Sequence, residues 1–553
     1  MTSCFRALIA LPMLACPLVA QSTVTAALCA GGVVATALPG SLLDENARAA
    51  GIRTGARWSL QRGAIDAARE RMLQDSGAAR LRIAVVLPEL LITTQSAFPM
   101  PANDGPLWAG RGLSYSVTGG VALCGKSGRW GAVIAPTYWY AENADFPLPS
   151  DPQFVPPRKS EYSPWASTYH YLPRELDQPR RFGDRAIAKT DPGAIALWLR
   201  TPRVEVGYTT EAEWWGPGQQ NALILSSQSA GVPRAYVHTV KPIGAAGELD
   251  ARMFLGGLSF SPFFRSVPSP DSGRTLAGIS LVWRPKFERG LSLGAARLVS
   301  GPITGNAWVR HIFDAVSSTP RPNAYSRQDS TPRPGLDQLF SVFADWRLAD
   351  DGTEIWAEWA RAELPADLRD FFDAPNHTEA LTIGLQRVWP MRWKGWNWRV
   401  AVEHSQTDQS STFRERPTGS WYTSRAVSGG FTQKGQVLGG VIGPGSSAQW
   451  IGFDLAGLRQ SVGVFLSRIK WDDDALLAIP RPNGNGLCKH DVSLAWGIRG
   501  STRSGAGWIE GTLTATNRLN IYWQALGLCF ENSELQIDKR NLSLEFRFHP
   551  RIQ

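Results

Sequence analysis

Metal and redox chemistry have little to work with in this sequence. Seven histidines and six cysteines are spread over 553 residues. Neither HExxH nor CxxC spacing occurs, so no zinc-type site is expected. A helical membrane span is missing as well. Beyond the first forty residues no stretch reaches the roughly 18 consecutive apolar residues that one requires. Charged residues make up only 19% of the chain, with a formal net charge of +9. The Lys and Arg are scattered rather than gathered in a stripe, so no nucleic-acid partner is expected. A Rossmann signature is absent, and no catalytic centre or cofactor is expected.

What is abundant is tryptophan, 23 against 11 tyrosines, together with 54 glycines and 38 prolines. With hydrophobic residues at 43%, the chain is too apolar for a disordered one. An excess of indole suits either an interfacial aromatic belt or a surface on which sugars stack. The first residues, "MTSCFRALIALPMLACPLVAQS", combine one Arg, an apolar run and small residues. They read as a secretory signal, residues 1–20, cut near Ala20. A second apolar stretch from Val24 to Leu38 leaves a later cut open. Cys4 and Cys16 leave with such a signal, and Cys488 and Cys529 could pair across late strands in an oxidising compartment.

Residues 21–81 are expected to form a small N-terminal helical segment. Within 41–80 the composition is rich in Ala, Arg and Glu, and Ile65, Ala68 and Met72 recur at helical spacing. Ser41 with Asp44 three residues on gives an N-cap pattern. From about residue 82 the period changes to two. "ELDARMFLGGLSF" (248–260), "GISLVWRP" (278–285), "TEIWAEWARAE" (353–363) and "ALTIGLQRVW" (380–389) alternate apolar with polar or small residues. So do "NWRVAVEHSQT" (397–407), "SVGVFLSRIKW" (461–471), "VSLAWGIRGS" (492–501) and "NLSLEFRFHP" (541–550). Gly, Pro, Asn or Asp punctuates each.

Alternation alone fits a sandwich with its apolar face inward or a membrane barrel with that face outward. Three features favour the barrel. The segments match the roughly 9–11 residues of a tilted membrane strand. Trp283, Trp389, Trp471 and Trp523 stand near segment ends, where interfacial girdles lie. The last segment puts Leu542, Leu544, Phe546 and Phe548 on one face, as a closing strand would. The fold expected is therefore all-β: a transmembrane antiparallel barrel over 82–553, with about 18 strands at one per roughly 25 residues.

Carboxylates that could serve a glycosidase, Glu211 with Glu213 and Glu354 with Glu358, share faces of strands, but a polar lumen would show the same pattern. What recurs is aromatic and amide chemistry without a catalyst: Trp214 and Trp215 with Gln219, Gln220 and Asn221, then Tyr138-Trp139-Tyr140, Trp393/Trp396/Trp398, and Trp421-Tyr422. Indole and phenol faces stack on sugars while amides satisfy hydroxyls, so Trp214, Trp215, Gln219, Asn221, Trp421 and Tyr422 are candidate polysaccharide-binding residues. The run "RVEVGYTTEAEWW" (203–215) reads as a strand meeting a rigid Gly-Pro-Gly turn, with the Trp pair at the bilayer interface or the rim, and "ALILSS" as the start of the next element.

Three stretches resemble the Wzi-type capsule assembly family. They are "EWWGPGQQNALILSSQSAGVPRAYV" (213–237), "EIWAEWARAELPADLRDFFDAPNHTEALTIGLQR" (354–387) and "WYTSRAVSGGFTQKGQVLGGVIGPGSSAQ" (421–449). Ser424 and Arg425 stand where that pattern has His, and Phe431 where it has Tyr. The resemblance implies an outer-membrane barrel of about 18 strands with a small periplasmic helical element, lectin-like and not an enzyme. It adds the motif positions Arg369, His377 and Lys434 to the candidate binding residues. The partners it implies are capsular or extracellular polysaccharide and outer-membrane lipid, with the polysaccharide export machinery a further one such a role would bring. The rival functions are a channel for small or anionic solutes and a secreted glycan hydrolase.

Overall fold

The structure is a computed structural model that describes residues 82–550 apart from 103–108, 126–128, 147–174, 180, 240–243, 245, 265–272, 304–306, 318–334, 349–350, 366, 393–394, 415–417, 458, 479–489 and 524–537. The expected signal, the helical segment, Trp393, Cys488 and Cys529 lie outside the described residues.

The first strands are β1 (Arg82–Gln95), β2 (Gly112–Cys124), β3 (Trp130–Ala141), β4 (Ile187–Arg200), β5 (Val204–Thr209), β6 (Arg234–Thr239) and β7 (Gly247–Leu258). Then come β8 (Arg274–Pro285), β9 (Leu291–Pro302), β10 (Asp337–Leu348), β11 (Thr353–Arg361), β12 (Glu379–Pro390) and β13 (Trp396–Gln406). A two-stranded hairpin, β14 (Thr432–Gln433) with β15 (Gln436–Val437), sits inside a loop. The wall resumes with β16 (Ser447–Gly457), β17 (Gln460–Trp471), β18 (Asp491–Ser504), β19 (Gly507–Leu519) and β20 (Lys539–Pro550). Eighteen strands make one sheet, each antiparallel to its neighbour in sequence. β20 pairs with β1 from Leu90↔Phe548 to Gln95↔Ser543, so the sheet closes and leaves no edge.

The alternation decides which face is which. On β18, Leu494, Trp496 and Ile498 are exposed while Ser493, Gly497 and Arg499 are buried. On β20, Leu542 and Leu544 are exposed while Asn541, Arg547 and His549 are buried. The exposed face is thus apolar and the shielded one polar, which is the arrangement of a barrel in lipid and the inverse of a soluble sandwich. All eight alternating segments picked out by sequence are wall strands. β4 breaks the pattern at Pro192-Gly193, where the β3 pairing slips between Ala135 and Thr137 and Gly193 takes φ +61°. This is a bulge that only glycine enters without strain.

Connections differ by end. Turns such as 201–203, 286–290, 391–395 and 505–506 close one end, where β1 begins and β20 stops. The other end carries the long loops 142–186, 210–233, 303–336 and 407–446. Barrels of the outer membrane keep short turns in the periplasm and long loops outside, so the long-loop end faces out of the cell. Exposed indoles Trp130, Trp346 and Trp389 ring the short-turn end, as an interfacial girdle does. Of the four girdle tryptophans expected, Trp283 and Trp389 lie on this outer face. Trp471 and Trp523 are instead buried at the long-loop end, with Trp471 Nε1 donating to Ser493 Oγ at 2.7 Å.

The outward face makes a depth-dependent prediction. Leu513, exposed midway along β19, should not tolerate charge: Leu513→Arg costs about 2–4 kcal/mol in denaturant unfolding from vesicles. Thr514→Arg, turned toward the polar lumen, should cost less than half as much.

Candidate functional site

The long-loop end does not leave the lumen open as a plain tube. Loops 210–233 and 407–446 enter it and pack against the wall and each other. Trp214 and Trp215 belong to this plug, 1% and 0% exposed. Trp215 donates from Nε1 to Glu213 at 2.9 Å, and Trp214 from Nε1 to the Gly218 carbonyl at 3.1 Å. Trp215 also packs edge-on to Phe254, ring centroids 5.3 Å apart. The expected placement at the bilayer interface or the rim is therefore corrected. Strand β5 ends at Thr209, and "ALILSS" is buried loop whose next strand starts only at Arg234.

One wall carboxylate seats the turn. Glu403 of β13 accepts the backbone N–H groups of Gln219, Gln220 and Asn221 at 2.5, 2.9 and 3.0 Å, and Trp356 Nε1 at 3.1 Å. The Gly-Pro-Gly geometry is what aims three consecutive amides at one anion, as backbone nests do. Gly216 has φ +113°, and a Cβ there would lie 2.4 Å from Glu358 Oε2, so any other residue would be strained and would displace that carboxylate. Gln219 adds a side-chain link: its Nε2 donates to Gln386 at 3.0 Å and its Oε1 accepts from Arg399 at 2.8 Å. Arg399 continues to Asp454 at 2.6 Å, and Asp454 to Arg499 at 2.6 Å. Glu213 meets Arg234 at 2.8 Å and Arg252 at 3.0 Å. Burial alone would raise the Glu213 carboxyl, but these two guanidiniums hold it down at about 2.

The second loop clasps the first. Tyr422 donates its hydroxyl to the Leu223 carbonyl at 2.7 Å and accepts from Gly440 N at 2.7 Å. Trp421 Nε1 reaches the same Leu223 carbonyl at 3.4 Å, and Ser226 N donates to Leu438 O at 2.7 Å. Tyr422 holds φ +70°, a conformation that costs a non-glycine residue about 1–3 kcal/mol and persists only where surroundings over-determine it. His377 is buried in loop 362–378, its Nδ1 3.2 Å from Thr412 Oγ1. Arg369 is fully out in solvent on a short helix, α1 (Leu368–Asp373), pairing loosely with Asp373 at 3.5 Å. That helix rests on the outer wall, where Phe371 meets Trp359.

Of the nine candidates, Lys434 lines a small cavity. Its Nζ lies 2.7 Å from Asp191, which also accepts Trp139 Nε1 at 2.8 Å. Thr210, Glu211 and Arg547 complete the polar wall of a space of about 110 Å³. One indole, carboxylates, cations and hydroxyls are the groups that bind sugars. The volume suffices for several waters and falls below the roughly 300–1,000 Å³ of ordinary ligand pockets, so a chain of sugars does not enter. Trp139 and Asp191 escaped sequence reasoning as a pair because they are 52 residues apart. Tyr138 and Tyr140, flanking Trp139, turn to the outer wall beside Tyr115, centroids 6.2 and 5.4 Å away. Trp396 and Trp398 begin β13 at the short-turn end, away from the cell surface.

An antiparallel 18-stranded barrel of the outer-membrane type, with a lumen occupied by its own loops, is the class of protein this defines. Among solved structures it is similar to Wzi of Escherichia coli, an outer-membrane protein involved in group 1 capsule assembly and described as a carbohydrate-binding β-barrel. That similarity has a TM-score of 0.53 at 12% identity, covering 96% of this chain and 99% of that one. The shared fold is thus that of a Wzi-type barrel. A BenF-like porin from Pseudomonas fluorescens (TM-score 0.38, 8% identity, 85% and 99% covered) and OprD from Pseudomonas aeruginosa (0.35, 9%, 83% and 92%) also align. Scores that low carry no argument. No family model and no curated protein matches the sequence.

Two predictions follow from the plug. Glu403→Ala leaves three buried amides without an acceptor, which should weaken plug docking by about 3 kcal/mol. Hydrogen exchange of residues 216–226 should then rise at least tenfold while the barrel persists. The second concerns Asp474 on helix α2 (Asp473–Ala478), which accepts from Ser420 Oγ and, at 2.9 Å, from Gln409 N. Burial, with Asp472 and Asp408 adding, pushes its carboxyl up to about 8 against those hydrogen bonds. A carboxyl raised on folding stabilises most below its unfolded value and progressively less up to its folded one. Protection factors at 409–412 and 418–420, taken relative to intrinsic exchange at each pH, should therefore fall as pH rises toward and through about 8, and Asp474→Asn should flatten that profile.

Proposed function

We propose that this outer-membrane barrel holds capsular or extracellular polysaccharide at the cell surface without altering it chemically. The observation that carries the reading is the plug: two long loops lock together inside the lumen through Leu223, Ser226, Tyr422 and Leu438. A porin of 16–18 strands leaves an aqueous channel, whereas here that space holds buried indoles and a hydrogen-bonded loop core. Carboxylates a hydrolase would need are already engaged, Glu213 by two arginines, Glu358 by Leu223 N and Glu354 by Gln386. The Wzi-type fold supports the same reading.

In this proposal Trp214, Trp215, Gln219, Asn221, His377, Trp421 and Tyr422 set the shape of the outer surface. Sugar contact falls to partly exposed groups of the loops such as Arg425 and to the exposed Arg369, while Lys434 faces the small cavity. Contacts of this kind are individually weak and gain from the repeating length of a polymer. Export machinery would be a partner on the periplasmic side.

Deleting the gene should leave total polymer unchanged while moving most of it from cells to medium; unchanged cell-bound polymer would refute the assignment. In planar bilayers the purified protein should be close to silent. Steady conductance of porin size would favour the channel reading instead.

A further inference from the structure

The outer wall is not uniformly apolar. Between β11 and β20 it is concave and encloses a groove of about 1200 Å³. Strand registers align two adjacent rows of outward side chains across six neighbouring strands. The deeper row is Val402, Ile451, Leu466, Trp496, Ala515 and Leu542, paired in that order. All six are apolar, and all line the groove. The row one step nearer the long-loop end is His404, Gln449, Arg468, Leu494, Asn517 and Arg540, again paired in order. Five of these six are polar and two are arginines.

The upper row is organised. Arg468 donates to Gln449 Oε1 at 2.9 Å, and Gln449 Nε2 lies 3.0 Å from His404 Nδ1. Arg540 is exposed at the far side of the same row, without a carboxylate among its pairing neighbours. The polar-to-apolar boundary is thus one residue pair thick. It lies on the side of the barrel that faces out of the cell.

We propose that this groove binds an anionic, phosphate-bearing lipid of the outer leaflet. Its acyl chains would lie along the Val402–Leu542 row, and its phosphate would sit against Arg468 and Arg540, with Gln449 and Asn517 as hydrogen-bonding groups. Charge complementarity selects the occupant. A wall meeting neutral lipid alone has no need of two cations at this depth, and a second copy of the chain would have to bring acidic groups to an otherwise apolar surface. The volume exceeds that of ordinary small-ligand pockets and suits acyl chains. The inference is independent of what the protein does with polysaccharide.

The test uses the full protein in mild detergent and native mass spectrometry, with phosphatidylglycerol and phosphatidylcholine of identical acyl chains as competing probes. A basic side chain near an anionic surface contributes about 1 kcal/mol, roughly fivefold in affinity. The wild type should therefore retain phosphatidylglycerol over phosphatidylcholine by about 25-fold, Arg468→Gln or Arg540→Gln by about fivefold, and the double variant by near unity. Ala515→Trp, which fills the groove, should lower retention of both lipids. Equal retention by the wild type, a preference unchanged in the double variant, or a lipid-free dimer occupying the groove would each overturn the proposal.

Discussion

A cylinder of 18 strands is too wide for side chains from opposite walls to meet, yet its inner face is polar. Whatever fills such a lumen must therefore answer the wall's hydrogen-bonding groups one by one. Here the answer comes from the chain's own loops. Glu403 is the clearest case: a carboxylate buried in the wall, accepting three consecutive amides of the Gly-Pro-Gly turn. With the turn seated, the carboxylate is shielded from water and satisfied by those amides, and without the carboxylate the seated amides would lack an acceptor. In this way the wall and the plug specify each other.

The same reciprocity extends sideways. Gln386, Arg399, Asp454 and Arg499 run across β12, β13, β16 and β18 as alternating donors and acceptors, with Gln219 of the plug hydrogen-bonded into the row. A buried ion pair adds little net stability over an apolar equivalent, but removing one partner costs about 3–5 kcal/mol. Such a ladder therefore works as a register device, penalising any seating of the loop that leaves one member unpaired. Tyr422 serves the second loop in the same way, its positive φ sustained by two hydrogen bonds through one hydroxyl.

Strand identity was legible because a period of two survives wherever one face meets lipid. "SVGVFLSRIKW", "VSLAWGIRGS" and "NLSLEFRFHP" correspond closely to β17, β18 and β20, and the strand count of 18 follows from length. β4 was hidden by its Pro-Gly bulge, and β9 by a run of small residues, "LSLGAARLVSGP". The plug was hidden for another reason. Trp-Trp-Gly-Pro-Gly announces a rigid turn, but the anion that seats it lies 184 residues away. No local pattern reports whether an indole pair lies in lipid, at a rim or under a folded loop.

This relocation changes what an aromatic-rich motif can mean in a barrel. An indole that stacks on a sugar must keep one face free, whereas Trp214, Trp215 and Trp421 have both faces covered. Under the proposed function their contribution to recognition is indirect: they would fix the height and rigidity of the loops on which exposed groups are carried. A rigid platform lowers the entropy lost when each weak contact forms, and repeated contacts along a polymer multiply that gain. The motif then constrains where sugar could be met, through the surface it supports, rather than by touching it. Under the polysaccharide-holding function proposed above, burying the most recognisable residues is consistent with binding, because loop order and not aromatic exposure is what the lumen's polar wall makes possible.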